Sequence, residues 1–175
     1  MQTPSKPTDT APQVGQPKRF VFVLLDKFTM LSFASAVECL RIANRMAGRE
    51  VYSWTLQAEA GENVTCSAGI TFEVDHELGE LQRDDTVLLC SGVDVQNATT
   101  KKILSWLRRE ARKGLTIGGL CTAAYTMAKA GLLDGKRATI HWENIDSFTE
   151  EFEDVTLTKS VFVIDNNRLS TAGGT

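Results

Sequence analysis

Leu115-Thr116-Ile117-Gly118-Gly119-Leu120-Cys121-Thr122-Ala123-Ala124-Tyr125-Thr126-Met127-Ala128-Lys129-Ala130-Gly131 reads as a buried strand, a glycine turn, a cysteine and then a helix ending on glycine. A reactive side chain between a strand and a helix N-terminus belongs at the carboxyl edge of an α/β sheet, where ligands bind. Gly119-Leu120-Cys121-Thr122-Ala123 approximates the G-x-nucleophile-x-G elbow, whose small neighbours permit a tight turn and whose next backbone N–H can face an oxyanion. Two readings are open at this point: Cys121 performs chemistry as a thiolate favoured by the helix dipole, or it is a small apolar residue lining a pocket.

The elements on either side place the elbow in a sheet. Arg19-Phe20-Val21-Phe22-Val23-Leu24-Leu25 and Thr86-Val87-Leu88-Leu89-Cys90 are short continuous apolar runs, the mark of strands covered on both faces. Between them, the residues from Leu31 to Gly48 predict a helix starting near Ser32 and ending on a glycine. Val51 to Ala58 alternates as a strand, and Val64–Cys66 with Ile70–Val74 forms a small excursion around Gly69. A basic helix is expected from about Gln96 to Lys113, with Ile103, Leu104, Leu107 and Ala111 as its apolar stripe and its Lys and Arg residues in solvent. Ala138 to Trp142 is strand-like and Glu143 to Phe152 helical. Val155–Leu157, Val161–Ile164 and Arg168–Thr171 are short strands, with a turn at Asp165-Asn166-Asn167. Strands alternating with helices predict an α/β, flavodoxin-like three-layer sandwich with a mainly parallel sheet.

One domain fits 175 residues of which 42% are apolar and 23% charged. Residues 1–18 hold all four prolines and read as a disordered tail, leaving residues 19–175 as the folded domain. A net charge of −3 supplies no basic footprint for DNA or membrane lipid. The four cysteines show no zinc spacing, so neither metal nor cofactor is called for, and reduced thiols in a cytoplasmic protein are expected. No apolar stretch approaches the roughly 20 residues that span a bilayer.

His141, at the end of its strand-like segment, can reach the same sheet edge as Cys121 and act as base or partner, or can be a satisfied loop residue. His76 sits in acidic Asp75-His76-Glu77 and reads as a surface residue. Glu143, two residues from His141, is better placed as a first-turn acid than as the orienter of a triad. Cys90-Ser91-Gly92 closes a buried strand, so its amides either approach a ligand near Cys121 or serve turn geometry alone.

Three stretches together, Gly119-Leu120-Cys121-Thr122, Ala130-Gly131-Leu132-Leu133-Asp134-Gly135-Lys136-Arg137-Ala138-Thr139-Ile140-His141-Trp142 and Thr171-Ala172-Gly173-Gly174-Thr175, resemble the class I glutamine amidotransferase-like (ThiJ/PfpI) superfamily. More narrowly, the chain resembles the N-terminal sensor domain of GlxA-type AraC-family transcriptional regulators. Ser35 to Asn44 is similar to the first helix of the branch that senses arginine and quaternary amines. The resemblance implies a flavodoxin-like fold and a ligand pocket around the elbow. It also implies a C-terminal helix-turn-helix domain that this chain lacks, so that Thr171 to Thr175 reads as a helix entry cut short and DNA is reached only through that absent domain.

Enzymes of the superfamily place an acid early in the first helix beside the cysteine, and the corresponding position here is read as Ser32. Glu38, six residues on, lies about 240° further round the helix and does not replace it. The leading expectation is therefore a small-molecule sensor, forming a homodimer, with Ser32, Cys90, Ser91, Gly92, Cys121, Thr122, His141 and Trp142 around the ligand and the Trp142 indole as partner for a quaternary ammonium. The alternative is a cysteine-dependent hydratase, hydrolase or glyoxalase-like enzyme with Cys121 and His141 as catalytic residues.

Overall fold

The computed structural model describes residues 15–173, so most of the expected tail and the final Gly174-Thr175 lie outside the described residues. Lys18, assigned to that tail, instead opens the first strand, its N–H donating to the Val51 carbonyl at 3.0 Å.

In chain order the elements are β1 (Lys18–Leu24), α1 (Met30–Ala47), β2 (Tyr52–Ala58), β3 (Asn63–Thr65), β4 (Thr71–Glu73), β5 (His76–Glu77), β6 (Thr86–Cys90), α2 (Val95–Ala98), α3 (Lys101–Ala111) and β7 (Thr116–Leu120). They continue as α4 (Ala124–Lys129), β8 (Arg137–Ala138), a 3₁₀ turn over Trp142–Asn144, α5 (Ile145–Glu151), β9 (Thr156–Leu157), β10 (Phe162–Asp165) and β11 (Arg168–Thr171). The main sheet runs β10-β11-β7-β6-β1-β2-β5, parallel except for the antiparallel β10 at one edge, a mainly parallel flavodoxin-like arrangement. β3 and β4 form the excursion around Gly69 as a separate hairpin.

β1 lies in the middle, paired on both sides, and its alternating side chains enter two different cores. Val21, Val23 and Leu25 join Val87, Leu89 and Ile117 against Ile103, Trp106 and Leu107 of α3 and Met127 of α4. Phe22 and Leu24 join Phe28, Phe33, Cys90 and Leu120 on the α1 side. Fully burying such a side chain is worth about 1.5–3 kcal/mol, which is why both faces of this strand are apolar.

Two expected elements differ. The basic helix is split into α2 and α3 because the Thr100 hydroxyl accepts the Ile103 N–H at 3.1 Å, giving α3 its own N-cap where a continuous helix would have run through. The strand expected over residues 138–142 pairs only at Arg137–Ala138; beyond it the chain is held by other partners, Thr139 N–H by the Ser170 hydroxyl and His141 N–H by the Cys121 carbonyl.

Candidate functional site

Gly119 is where the elbow begins, because a Cβ there would stand 2.8 Å from Met127 Sδ and 2.9 Å from Ala124 N. Only glycine lets the strand turn so closely into α4. Cys121 follows at φ 61°, a left-handed conformation that a residue with a Cβ adopts at a cost of about 1–2 kcal/mol. That turn is held from two other elements: the Cys121 N–H donates to Thr171 Oγ1 at 3.2 Å, and the Cys121 carbonyl accepts from His141 N at 3.2 Å.

The group beside the thiol is Thr29, the N-cap of α1, whose Oγ1 lies 3.5 Å from Cys121 Sγ. Its hydroxyl makes no capping bond to the helix, so the side chain an N-cap would use locally is turned to the cysteine instead. Ser32, expected in that place, sits one turn later and donates to the Thr29 carbonyl at 2.8 Å; it supports Thr29 rather than touching the thiol. Gly92 makes room for this: a Cβ on it would come within 2.6 Å of Thr29 Oγ1 and 2.5 Å of the Lys27 carbonyl. Thr122 Oγ1 donates to the Gly92 carbonyl at 2.8 Å, closing the β6 loop onto the elbow.

Thr29, Gly92, Cys121, Thr122, His141 and Glu143 thus meet around a cavity of about 250 Å3 at the carboxyl edge. His141 Nδ1 and a Glu143 carboxylate oxygen are 3.9 Å apart, too far for a hydrogen bond but close enough to interact when the imidazole is charged. Besides Ser32, three expected site residues do not line it. Cys90 is fully buried in the α1-side core, because a strand's alternation turns it away from the edge; burial, with Cys121 adding a smaller effect, holds its thiol far above the ordinary range. Ser91 is also fully buried, contributing its carbonyl as acceptor for Thr29 N–H at 3.3 Å. Trp142 is 70% exposed on the 3₁₀ turn, its ring stacked at a tilt on His141 with centroids 5.7 Å apart.

Electrostatically, burial is the largest influence on the Cys121 thiol. Burial raises the thiol pKa; the Thr29 hydroxyl and the Thr122 N–H pull it down, Glu143 pushes it further up, and the net direction is upward. A buried thiol with a hydroxyl for company and no carboxylate in hydrogen-bond reach is poorly equipped for acid–base work at neutral pH. His76, at the far edge of the sheet, is exposed, as its acidic surroundings suggested.

The sequence pattern missed Thr29, Thr171 and the neighbouring Asp94. The available signal for Thr29 was its position as the last polar residue before the first helix, where an N-cap hydroxyl stands at the strand's carboxyl end.

The chain resembles known proteins along nearly its whole length. The profile of the DJ-1/PfpI family matches residues 18–175. The HTH-type transcriptional regulator GbdR of Pseudomonas aeruginosa is 39% identical over 164 residues, 94% of this chain and 45% of that protein. The HTH-type transcriptional regulator CdhR of the same species is 40% identical over 156 residues, 89% of this chain and 46% of that protein. The chain therefore spans about half the length of the curated relatives it matches. Among solved structures, an AraC family transcriptional regulator from Pseudomonas putida superposes with a TM-score of 0.76 at 26% identity, covering 90% of this chain and 85% of that one. Since the match begins with the first strand and runs past the elbow to the end, on a fold these proteins share, the chain belongs to the DJ-1/PfpI family.

Proposed function

We infer that this chain is the ligand-sensing half of an AraC-type transcriptional regulator, binding a small metabolite of the arginine or quaternary-amine class at the carboxyl edge of its sheet. The observation that carries the reading is the thiol's neighbour: Thr29, a hydroxyl, stands 3.5 Å from Cys121, and Ser32, read as the position of the superfamily enzymes' acid, supplies no carboxylate. Such a site keeps the elbow's shape and loses the proton-handling group, as expected of a pocket that binds without turning over. Similarity to HTH-type regulators supports the same assignment, with DNA recognition carried out by another part of such a protein and the whole acting in the cytoplasm. Among the described residues, no helix is long and apolar enough to cross a membrane.

A homodimer is part of the proposal. Leu31, Ile42 and Met46 on α1 and Phe162 and Ile164 on β10 are exposed apolar side chains available for pairing; sedimentation of a monomer at micromolar concentration counts against it. One observation favours the enzyme alternative, namely that the strained Cys121 shares its cavity with His141 and Glu143. Calorimetry with arginine, glycine betaine and carnitine, run beside turnover assays with isocyanides and methylglyoxal, separates the two. Saturable binding of one metabolite without turnover is expected, and turnover that disappears in Cys121→Ser overturns the sensor reading.

A further inference from the structure

α1 is apolar on both of its faces. Phe33, Ala36, Val37 and Leu40 pack inward on the sheet, as the inner stripe of an amphipathic helix should. The outward face of such a helix is ordinarily polar, and α3 obeys the rule: its exposed positions are Lys101, Lys102, Ser105, Arg108 and Arg109. On α1 the outward line instead holds Leu31, Ile42 and Met46, which are 53%, 48% and 81% exposed, with the half-buried Ser35 between them. Three large apolar side chains aligned in water mark a surface that another apolar surface covers.

The spacing of that line says what covers it. At about 100° per residue, Leu31, Ser35, Ile42 and Met46 fall within about 30° of a single direction, separated by steps of four, seven and four residues. The steps read the same from either end, so the line complements itself when a second copy is laid on it antiparallel, as a twofold axis requires. With the axis between Glu38 and Cys39, Leu31 stands level with the partner's Met46 and Ser35 with the partner's Ile42. Glu38 and Cys39 lie about 50° to either side of the line. Rotation about the axis keeps each on its own side, so Cys39 meets the partner's Cys39. Glu38, paired with its own Arg41 at 2.6 Å, comes level to within about 3 Å with the partner's Arg41. Opposite charges thus face each other along one side of the seam, offsetting the approach of the two Glu38 carboxylates.

We propose that α1 packs antiparallel on α1 of a second copy of this chain, with Leu31, Ile42 and Met46 as the apolar seam and Cys39 beside the twofold axis. This rests on the homodimer reading and assigns its interface to α1 in place of β10. Packed helices run about 8–10 Å apart, and each Cα stands about 2.3 Å from its helix axis. At about 50° from the contact line, the two Cys39 Cα atoms are then about 5–7 Å apart, against the roughly 4.4–6.8 Å that a disulfide spans. The two Ser35 residues, by contrast, are offset along the seam by seven residues, about 10 Å, and cannot be joined.

The test begins with sedimentation of the 175-residue chain. The wild type is a dimer, the double variant Ile42→Glu, Met46→Glu weakens it about tenfold or more, and Ile164→Ser on β10 leaves it unchanged. Both α1 positions are exposed, so an unchanged circular dichroism spectrum is expected and is checked first. Diamide, which takes one hydrogen from each of two thiols, links the wild-type dimer through Cys39, the one exposed cysteine of the four. The linked species is absent in Cys39→Ser, and Ser35→Cys added to that variant does not restore it. A dimer that survives the α1 double variant, or that diamide links through position 35 and not 39, overturns the α1 assignment and leaves the homodimer reading standing. A wild type that is monomeric at micromolar concentration removes both.

Discussion

Replacing Thr29 by Val takes away the hydroxyl beside Cys121 and keeps a β-branched side chain of nearly the same shape. Burial holds the thiol above its ordinary pKa, and the Thr29 hydroxyl is the strongest influence opposing it. A hydrogen bond contributes about 0.5–1.5 kcal/mol net, and at 3.5 Å between oxygen and sulfur a value of about 1 kcal/mol is reasonable. That amounts to about a fivefold smaller thiolate population at any pH below the thiol's pKa. Alkylation by iodoacetamide, quantified at the Cys121 peptide by mass spectrometry across neutral to alkaline pH, reads the thiolate directly. Because the thiol is only 4% exposed, access limits the plateau rate, so the pH dependence and not the absolute rate carries the test. The wild type is expected to reach half its plateau at higher pH than free cysteine in solution. The variant should react about fivefold more slowly at neutral pH, with the same plateau. A Cys121 already ionised at neutral pH refutes the burial argument and restores an activated nucleophile; equal rates in wild type and variant show that the contact with Thr29 carries no energy.

Gly119→Ala pushes a methyl against Met127 Sδ at 2.8 Å and against the backbone of Ala124 at 2.9 Å, and the second of these cannot yield. A loss of about 1–3 kcal/mol in urea unfolding is expected, and an unchanged midpoint would show that the elbow is looser than described. Glu110 is a buried carboxylate; burial favours its neutral form, but hydrogen bonds from Lys113, Arg109 and the Leu81 N–H outweigh that and lower its pKa. Its stabilisation is thus complete above the unfolded-chain value of about 4.3 and disappears as pH falls through the lower folded value. Glu110→Gln should cost about 1–3 kcal/mol at neutral pH, with the gap to wild type closing on acidification; a pH-independent gap excludes the ion pairs as its source. Trp142→Ala, at a 70% exposed position, is expected to change stability by less than about 0.5 kcal/mol and to leave ligand binding unaltered in calorimetry. Loss of binding in that variant brings back the indole as a cation partner.

Much of the site was legible because its parts are local. The elbow from Gly119 to Thr122 is a contiguous pattern, and His141 and Gly92 end segments that read as reaching the same edge. What misled was direction. Cys90 and Ser91 end a strand at that edge, but their side chains turn into the protein, and only the neighbouring Gly92 lines the cavity. Trp142 follows His141 immediately, yet the 3₁₀ turn carries its ring into solvent. The family resemblance led to Ser32, whereas the hydroxyl that reaches the thiol belongs to the residue before the helix begins.

By itself the sequence determined the fold class, since continuous apolar runs of strand length separated by helical segments can be buried only in a sheet covered on both faces, and it determined that a cysteine would stand at that sheet's carboxyl edge. Only the tertiary structure decided what stands beside it. Thr29 and Cys121 are 92 residues apart, and Cys121 and Thr171 are 50 apart. Their meeting depends on a strand order in which β6, β7 and β11 line up beyond β1, a property of pairing between distant segments that no local pattern encodes. The same ordering brings Lys27, Glu59 and Asp94, three charges drawn from three separate loops, around one cavity.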